Sequence, residues 1–230
     1  FTDMTGPLPV EVLLQMSQLL LLDLSLSFYL TGTLPAELLW SPTLVHLNLQ
    51  GIYMYSTIPS PPAHYDVSGN PMRYLALSEC ELSGTLPVEI ASLVHLQEFS
   101  VVVNKLTGSV AMLPTSLRIV SLWMNEFTGQ LQHLPFLTSG NVFAATFDFN
   151  CISGTIPNEI CSNLQLDTIS LTQMGNQASC SSMWLPNSAY IPTNPLHGTI
   201  PACLFSLPNI QEISLAGNFL TGTVPSGHEI

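Results

Sequence analysis

The sequence predicts an α/β-type repeat solenoid: a right-handed superhelix of about nine coils, with a parallel β-sheet on its concave side. The convex side is expected to be irregular, 3-10 or short-helical. Three observations carry this. First, an L-x-G corner recurs at Gly6, Gly32, Gly84, Gly108, Gly129, Gly154, Gly198 and Gly222, with Ser56 taking the slot once. The intervals are 26, 24, 28, 24, 21, 25, 44 and 24 residues, and all but one fall in the range of stacked leucine-rich units. Second, apolar residues alternate nine and seven positions before the corner, as in Leu47/Leu49, Leu75/Leu77, Phe99/Val101, Val120/Leu122, Ala145/Phe147 and Ile213/Leu215. A period of two means a short strand with one buried face. Third, proline follows the corner by three residues in seven coils, from Pro9 and Pro35 to Pro201 and Pro225. Lacking an N–H and fixed in φ, proline suits a bend that ends regular pairing.

The elements follow in order. Val12 to Leu30 is the longest apolar run, yet Gln15, Gln18, Asp23 and several serines interrupt it, against a membrane span. It is expected to be the helical side and strand of the first coil, its aliphatics facing the core. In the middle coils an asparagine stands four residues before the corner: Asn104, Asn125, Asn150, Asn194 and Asn218. A buried amide there bonds the backbone of adjoining coils. Cys80 fills that slot once, and Phe28 and Ile52 fill it in the first coils, so the ladder should be missing at the N-terminal end. After Gly108 and Gly129 the proline is displaced to Pro114 and Pro135.

With these motifs the chain resembles the leucine-rich repeat family, in the L-x-G-x-[IL]-P form of plant receptor-like protein and kinase ectodomains and polygalacturonase-inhibiting proteins. The likeness spans residues 4 to 225. The two coils with displaced proline resemble repeats of protozoan and algal surface proteins. The resemblance implies recognition of other molecules, as receptors and inhibitors of wall-degrading enzymes do.

The 44-residue interval holds one coil and a loop insertion at 173–193, polar and turn-rich, with Trp184 inside. A loop of that length is usually functional or disordered, and here it is either a partner-contacting element or a passive decoration pinned by a disulfide. Cys151, Cys161, Cys180 and Cys203 fall in or beside this region and suit one or two bridges in an oxidising compartment. Cys180 is the most expected to pair, with Cys151, Cys161 or Cys203 all open as partner. Cys80 is about 15 Å from Cys151 at the usual strand spacing and is expected to be a buried, free ladder residue.

Residues between the buried leucines point out of the concave sheet. From them comes a candidate partner-binding set: Tyr74, Glu79, Glu98, Val102, Val103, Trp123, Met124, Asp148, Phe149 and the insertion's Trp184. Val103, Met124 and Phe149 share one slot in three consecutive coils, forming an apolar patch about 10 Å long at strand spacing. Such patches serve as interface anchors. The acidic neighbours suit a ligand with an apolar body and a cationic rim.

Composition narrows the function. Charged residues make up 8% and the formal charge is -12 with only three basic residues. Phosphate neutralisation needs clustered Lys and Arg, so nucleic acid is excluded. An anionic membrane surface would repel the chain, and no direct membrane insertion is expected. The six histidines share no face with a nucleophile and an acid. No nucleophile elbow, zinc helix or phosphate loop is present. The chain is therefore expected to be no enzyme and to need no cofactor or metal. The expected role is an extracellular or cell-surface recognition module binding a protein, peptide or glycan through the concave face and insertion. The alternative is a structural subunit of a coat or filament, in contact with copies of itself. Trp40, Tyr53 and Tyr55 add apolar surface expected to be covered by another chain or by flanking repeats. The array is expected to be a piece of a longer one.

Overall fold

The structure, a computed structural model, describes residues 4–175, 180 and 195–224. Eight short parallel strands line its concave side: β1 (Leu21–Asp23), β2 (His46–Asn48), β3 (Tyr74–Ala76), β4 (Glu98–Ser100), β5 (Ile119–Ser121), β6 (Ala144–Thr146), β7 (Thr168–Ser170) and β8 (Glu212–Ser214). Each pairs with the next in chain order. Their middle residues, Leu47, Leu75, Phe99, Val120, Ala145 and Ile169, are wholly or almost wholly buried. With Leu49, Leu77, Val101, Leu122, Phe147 and Leu171 they form one continuous column. No coil could enclose such a core alone, so stacking is what buries it.

In five coils the proline after the corner is the residue that opens the convex helix. Pro9 and Pro35 precede the α-helices Val10–Gln15 and Ala36–Leu39. Pro87, Pro157 and Pro201 precede the 3-10 helices Val88–Ser92, Asn158–Ser162 and Ala202–Ser206. A proline costs nothing there because the first N–H of a helix has no partner to lose.

The L-x-G segments do not merely turn. Ser83–Thr85, Lys105–Ser109, Glu126–Gln130 and Cys151–Ser153 form a second parallel sheet. Bridges Thr31 to Tyr53, Thr57 to Ser83 and Gly154 to Leu196 extend the pairing along the flank. Gly108 shows why glycine belongs there. Its φ is +80°, and a Cβ would stand 2.9 Å from the Thr85 methyl of the preceding coil.

The asparagine slot stitches coils together. Asn104 Nδ2 donates to the carbonyls of Leu77 (2.8 Å) and Val101 (3.0 Å), and its Oδ1 accepts the Leu82 N–H (2.9 Å). Asn125 and Asn150 repeat this, each reaching one carbonyl in its own coil and one in the coil before. Asn218 donates to Leu171 and Leu215 in the same way. Cys80 stands in for the amide with its thiol, which donates to Leu49 O (3.2 Å) and Ser78 O (3.3 Å). Burial pushes that thiol's pKa up to about 12. Asn194 lies outside the described residues. The chain in its coil is in register up to Gly175, and buried Met174 follows Leu171 at the spacing an asparagine keeps elsewhere.

Two expectations are corrected. The aliphatics of Val12 to Leu30 do not all face the core. Helix Val10–Gln15 buries none of its residues, and Val12, Leu14, Met16, Leu20 and Leu21 are exposed, while Leu22 and Leu30 are buried. Among the described residues the strand of this coil pairs on one side only, with His46–Asn48, and its exposed aliphatics meet no partner there. Trp40 needs no other chain to cover it. It is fully buried within this one, its Nε1 donating to Pro59 O at 2.9 Å.

The disulfides are Cys151–Cys180 and Cys161–Cys203, with Cα separations of 5.2 and 5.8 Å. The first ties the insertion to the second sheet. The second joins two convex 3-10 helices. Cys80 is free and buried.

Candidate functional site

Strand pairing sorts the concave residues into columns. The first runs His46, Tyr74, Glu98, Ile119, Ala144, Thr168, Glu212. Two residues along each strand comes Ser100, Ser121, Thr146, Ser170 and Ser214, a hydroxyl in five consecutive coils. Beyond the strand ends lie Val102, Trp123 and Asp148, and one residue further Glu79, Val103, Met124 and Phe149. The last two columns are held by backbone bonds from Val103 N to Trp123 O (3.0 Å), Met124 N to Asp148 O (2.9 Å) and Phe149 N to Thr172 O (3.0 Å).

The outermost column has a property the alternation pattern does not reveal. Glu79, Val103, Met124, Phe149 and Gln173 all have φ between 52° and 58°, and Gly51 and Gly217 occupy the same slot at φ 80° and 72°. The left-handed kink takes the chain off the strand and aims the next residue, the ladder asparagine, inward. For residues with a Cβ this conformation costs roughly 1–2 kcal/mol, and for a β-branched residue such as Val103 it is an outlier. Glycine meets the need in two coils at little cost. Three consecutive coils carry Val, Met and Phe instead.

Of the predicted binding set, the structure brings Val102, Val103, Trp123, Met124, Asp148 and Phe149 together on three adjacent coils. Trp123 is 37% and Met124 41% exposed, while Val102, Val103, Asp148 and Phe149 are half-buried. Glu79 adjoins them one coil earlier, exposed, and its Oε1 accepts Gln50 Nε2 at 3.1 Å. Asp148 is anchored from below: its Oδ1 accepts Ser170 Oγ (2.6 Å) and Thr172 N (2.7 Å). Tyr74 and Glu98 stand apart, in the first column at the far end of the strands. There Tyr74 stacks on His46, rings 4.0 Å apart and 3° from parallel. Burial raises the Tyr74 phenol, and the carboxylates of Glu98 and Asp23 push it the same way. Trp184 lies outside the described residues.

Sequence reasoning missed the hydroxyl column. Its signal was the repeated Ser or Thr two residues after the first strand position. Ser78 is buried beneath it, its Oγ bonded to Ser100 Oγ at 2.8 Å. Thr146 Oγ1 is buried with no hydrogen-bond partner among the described residues. Also among the described residues, no cluster of His, Cys, Asp or Glu has a geometry that could hold a metal. No helix there is long and apolar enough to cross a membrane.

No family model matches the chain. It is 30% identical over 181 residues to Receptor-like protein 39 of Arabidopsis thaliana, an alignment that takes in 72% of this chain but 18% of that protein. The chain thus spans under a fifth of that relative's length. Among solved structures, the plant peptide hormone receptor RGFR1 in complex with RGF2 superposes with a TM-score of 0.73 at 25% identity, covering 96% of this chain and 31% of that one. A TDR receptor gives 0.70 at 28% identity, over 96% of this chain and 38% of that one. A plant ice-binding protein gives 0.65 at 18% identity, over 97% and 72%, a likeness of fold alone. This kinship and the two disulfides are those of an extracellular or cell-surface protein. Repeat spacing, parallel concave sheet, asparagine stitching and these relatives agree: the chain belongs to the leucine-rich repeat family.

Proposed function

We propose that the chain is a non-enzymatic recognition module, outside the cell or at its surface, that binds a peptide or protein segment on its concave face at Val102, Val103, Trp123, Met124 and Phe149. One observation carries the reading. In a slot where glycine satisfies the backbone, three consecutive coils place large apolar side chains at the edge of the concave face. The core does not need Met124, whose side chain is exposed, nor Trp123 beside it. Aromatic residues and methionine are the usual anchors of interfaces. Glu79 and Asp148 border the patch, so an extended segment with an apolar residue flanked by Lys or Arg fits it. Structural neighbours include a peptide hormone receptor in complex with RGF2, which supports a peptide as partner. The insertion at 173–193 is proposed to take part in binding the same partner.

Panning a random peptide library against the intact chain tests this. Enriched sequences should pair an aromatic or aliphatic residue with basic flanks. Trp123→Ala and Phe149→Ala should each weaken the selected peptides at least about 30-fold, the size of an anchor residue's contribution. Retained affinity in both variants, with unchanged melting, makes the patch structural only.

A further inference from the structure

The flank of the solenoid carries a second aromatic feature, unrelated to the concave face. Tyr53 lies on the second ladder, bridged to Thr31 of the coil before. Tyr55 follows two residues on. The two rings lie 6.2 Å apart with planes 26° from parallel. Tyr53 is 40% and Tyr55 72% exposed, so the Tyr55 ring contributes little to the core. Its backbone is nevertheless left-handed, at φ 43°. Glycine or asparagine would meet that φ at lower cost. Strain of this kind at an exposed residue points to a use for the side chain rather than to folding. In the next coil Glu81 is left-handed too, at φ 56°, and its carboxylate pairs with Lys105 Nζ. The parallel bridge of Thr57 to Ser83 sets Tyr55 and Glu81, each two residues earlier, side by side on neighbouring coils.

We propose that Tyr53 and Tyr55, with the Glu81–Lys105 pair beside them, form a binding platform for a neutral oligosaccharide. The apolar C–H face of a pyranose stacks on an exposed aromatic ring, and its hydroxyls need donors and acceptors at the edge of the stack. Two near-parallel tyrosines supply the rings. The phenol hydroxyls, the ammonium and the carboxylate supply both kinds of polar partner. Charge selects against other occupants. The platform's cation is already neutralised by Glu81, and the chain as a whole carries -12, so a polyanion is repelled. A globular protein partner needs about 800 Å² of contact, far more than two rings and an ion pair provide. A short run of uncharged sugar units is matched in size and in charge.

Calorimetric titration of the intact chain tests the platform, with cellohexaose and mannohexaose as neutral probes and hexagalacturonate as the anionic one. At least one neutral probe should bind with a Kd of about 1 mM or tighter, and hexagalacturonate should bind at least tenfold more weakly. Tyr55→Ala and Tyr53→Ala should each weaken binding tenfold or more. Tyr55→Phe should retain most of it, and Trp123→Ala all of it. Tyr55→Asn suits a left-handed backbone, so it should lose binding while melting no lower than the parent, which separates recognition from folding. Three results overturn the proposal: no neutral probe binding, preference for the anionic probe, or loss of binding in Trp123→Ala with Tyr55→Ala unaffected.

Discussion

Gly108 and Gly140 separate two reasons for a glycine. Both are left-handed, at φ +80° and +81°, but a Cβ on Gly140 meets nothing within 4 Å while one on Gly108 runs into Thr85. Gly140→Ala should therefore cost about 1–2 kcal/mol, the backbone penalty alone. Gly108→Ala should cost more, by the overpacking penalty of about 1–3 kcal/mol. Thr85→Ser in the Gly108→Ala background removes the methyl and should recover that excess, as denaturant titration of the four proteins will read. Cys80 makes a prediction of another kind. Its folded pKa of about 12 lies above the unfolded value of 9.0. A raised folded pKa contributes stability that is whole below the unfolded value and lost as pH climbs through the window between them. Above pH 9 the parent should then lose up to about 1.4 kcal/mol per pH unit from this group. Cys80→Ser should show a shallower decline over the same range. The corner glycines were legible from spacing alone. The left-handed slot at Val103, Met124 and Phe149 was not, because a residue's apolar character says nothing of its φ.

Among elements, the asparagine slot is the joint between strand and flank. Asn150 is fully buried, donates to Leu122 O (2.9 Å) and Phe147 O (2.8 Å), and accepts Phe127 N–H (3.1 Å). Asn150→Ala leaves Phe147 O and the Phe127 N–H without a partner, at roughly 1–3 kcal/mol each when buried, while Leu122 O keeps Asn125 Nδ2 at 3.1 Å. The expected loss is at least about 2 kcal/mol, with faster amide exchange in the coils that contain Phe127 and Phe147. Asn218→Ala, in the half-buried last coil, should cost much less. The concave strands were readable from their alternation of leucines, since one face of each meets the core. The second sheet was not. Its L-x-G segments hold a glycine at positive φ that reads as a corner. Only the stacking of Ser83–Thr85 on Lys105–Ser109, and of that strand on Glu126–Gln130, shows them to pair. The three-residue period of proline after glycine was legible as a bend. That the bend opens a helix depends on what the convex side packs against.

For the whole molecule, stability in a solenoid is close to a sum over neighbouring coils, so local damage should stay local. The Cys161–Cys203 bridge closes 42 residues, worth about 4 kcal/mol by loop entropy. Cys203→Ala should fray the last coils, raising exchange around β8, while β2 to β5 keep their protection. Uniform loss along the chain would contradict this coil-by-coil account. The denatured, unreduced protein should expose one reactive thiol of the five cysteines, and the native protein none, because Cys80 is buried. The amino-acid sequence by itself determined the repeat length, the core-facing residues, the concave sheet and the asparagine stitches. Each is a periodic consequence of burying one face of a short strand and of satisfying the backbone where it turns. Only the tertiary structure decided which cysteines meet, which aliphatics of the first coil lack a neighbour, and which exposed side chains stand together. Those depend on distances between coils far apart in the chain, and on backbone angles that a hydrophobic pattern does not encode.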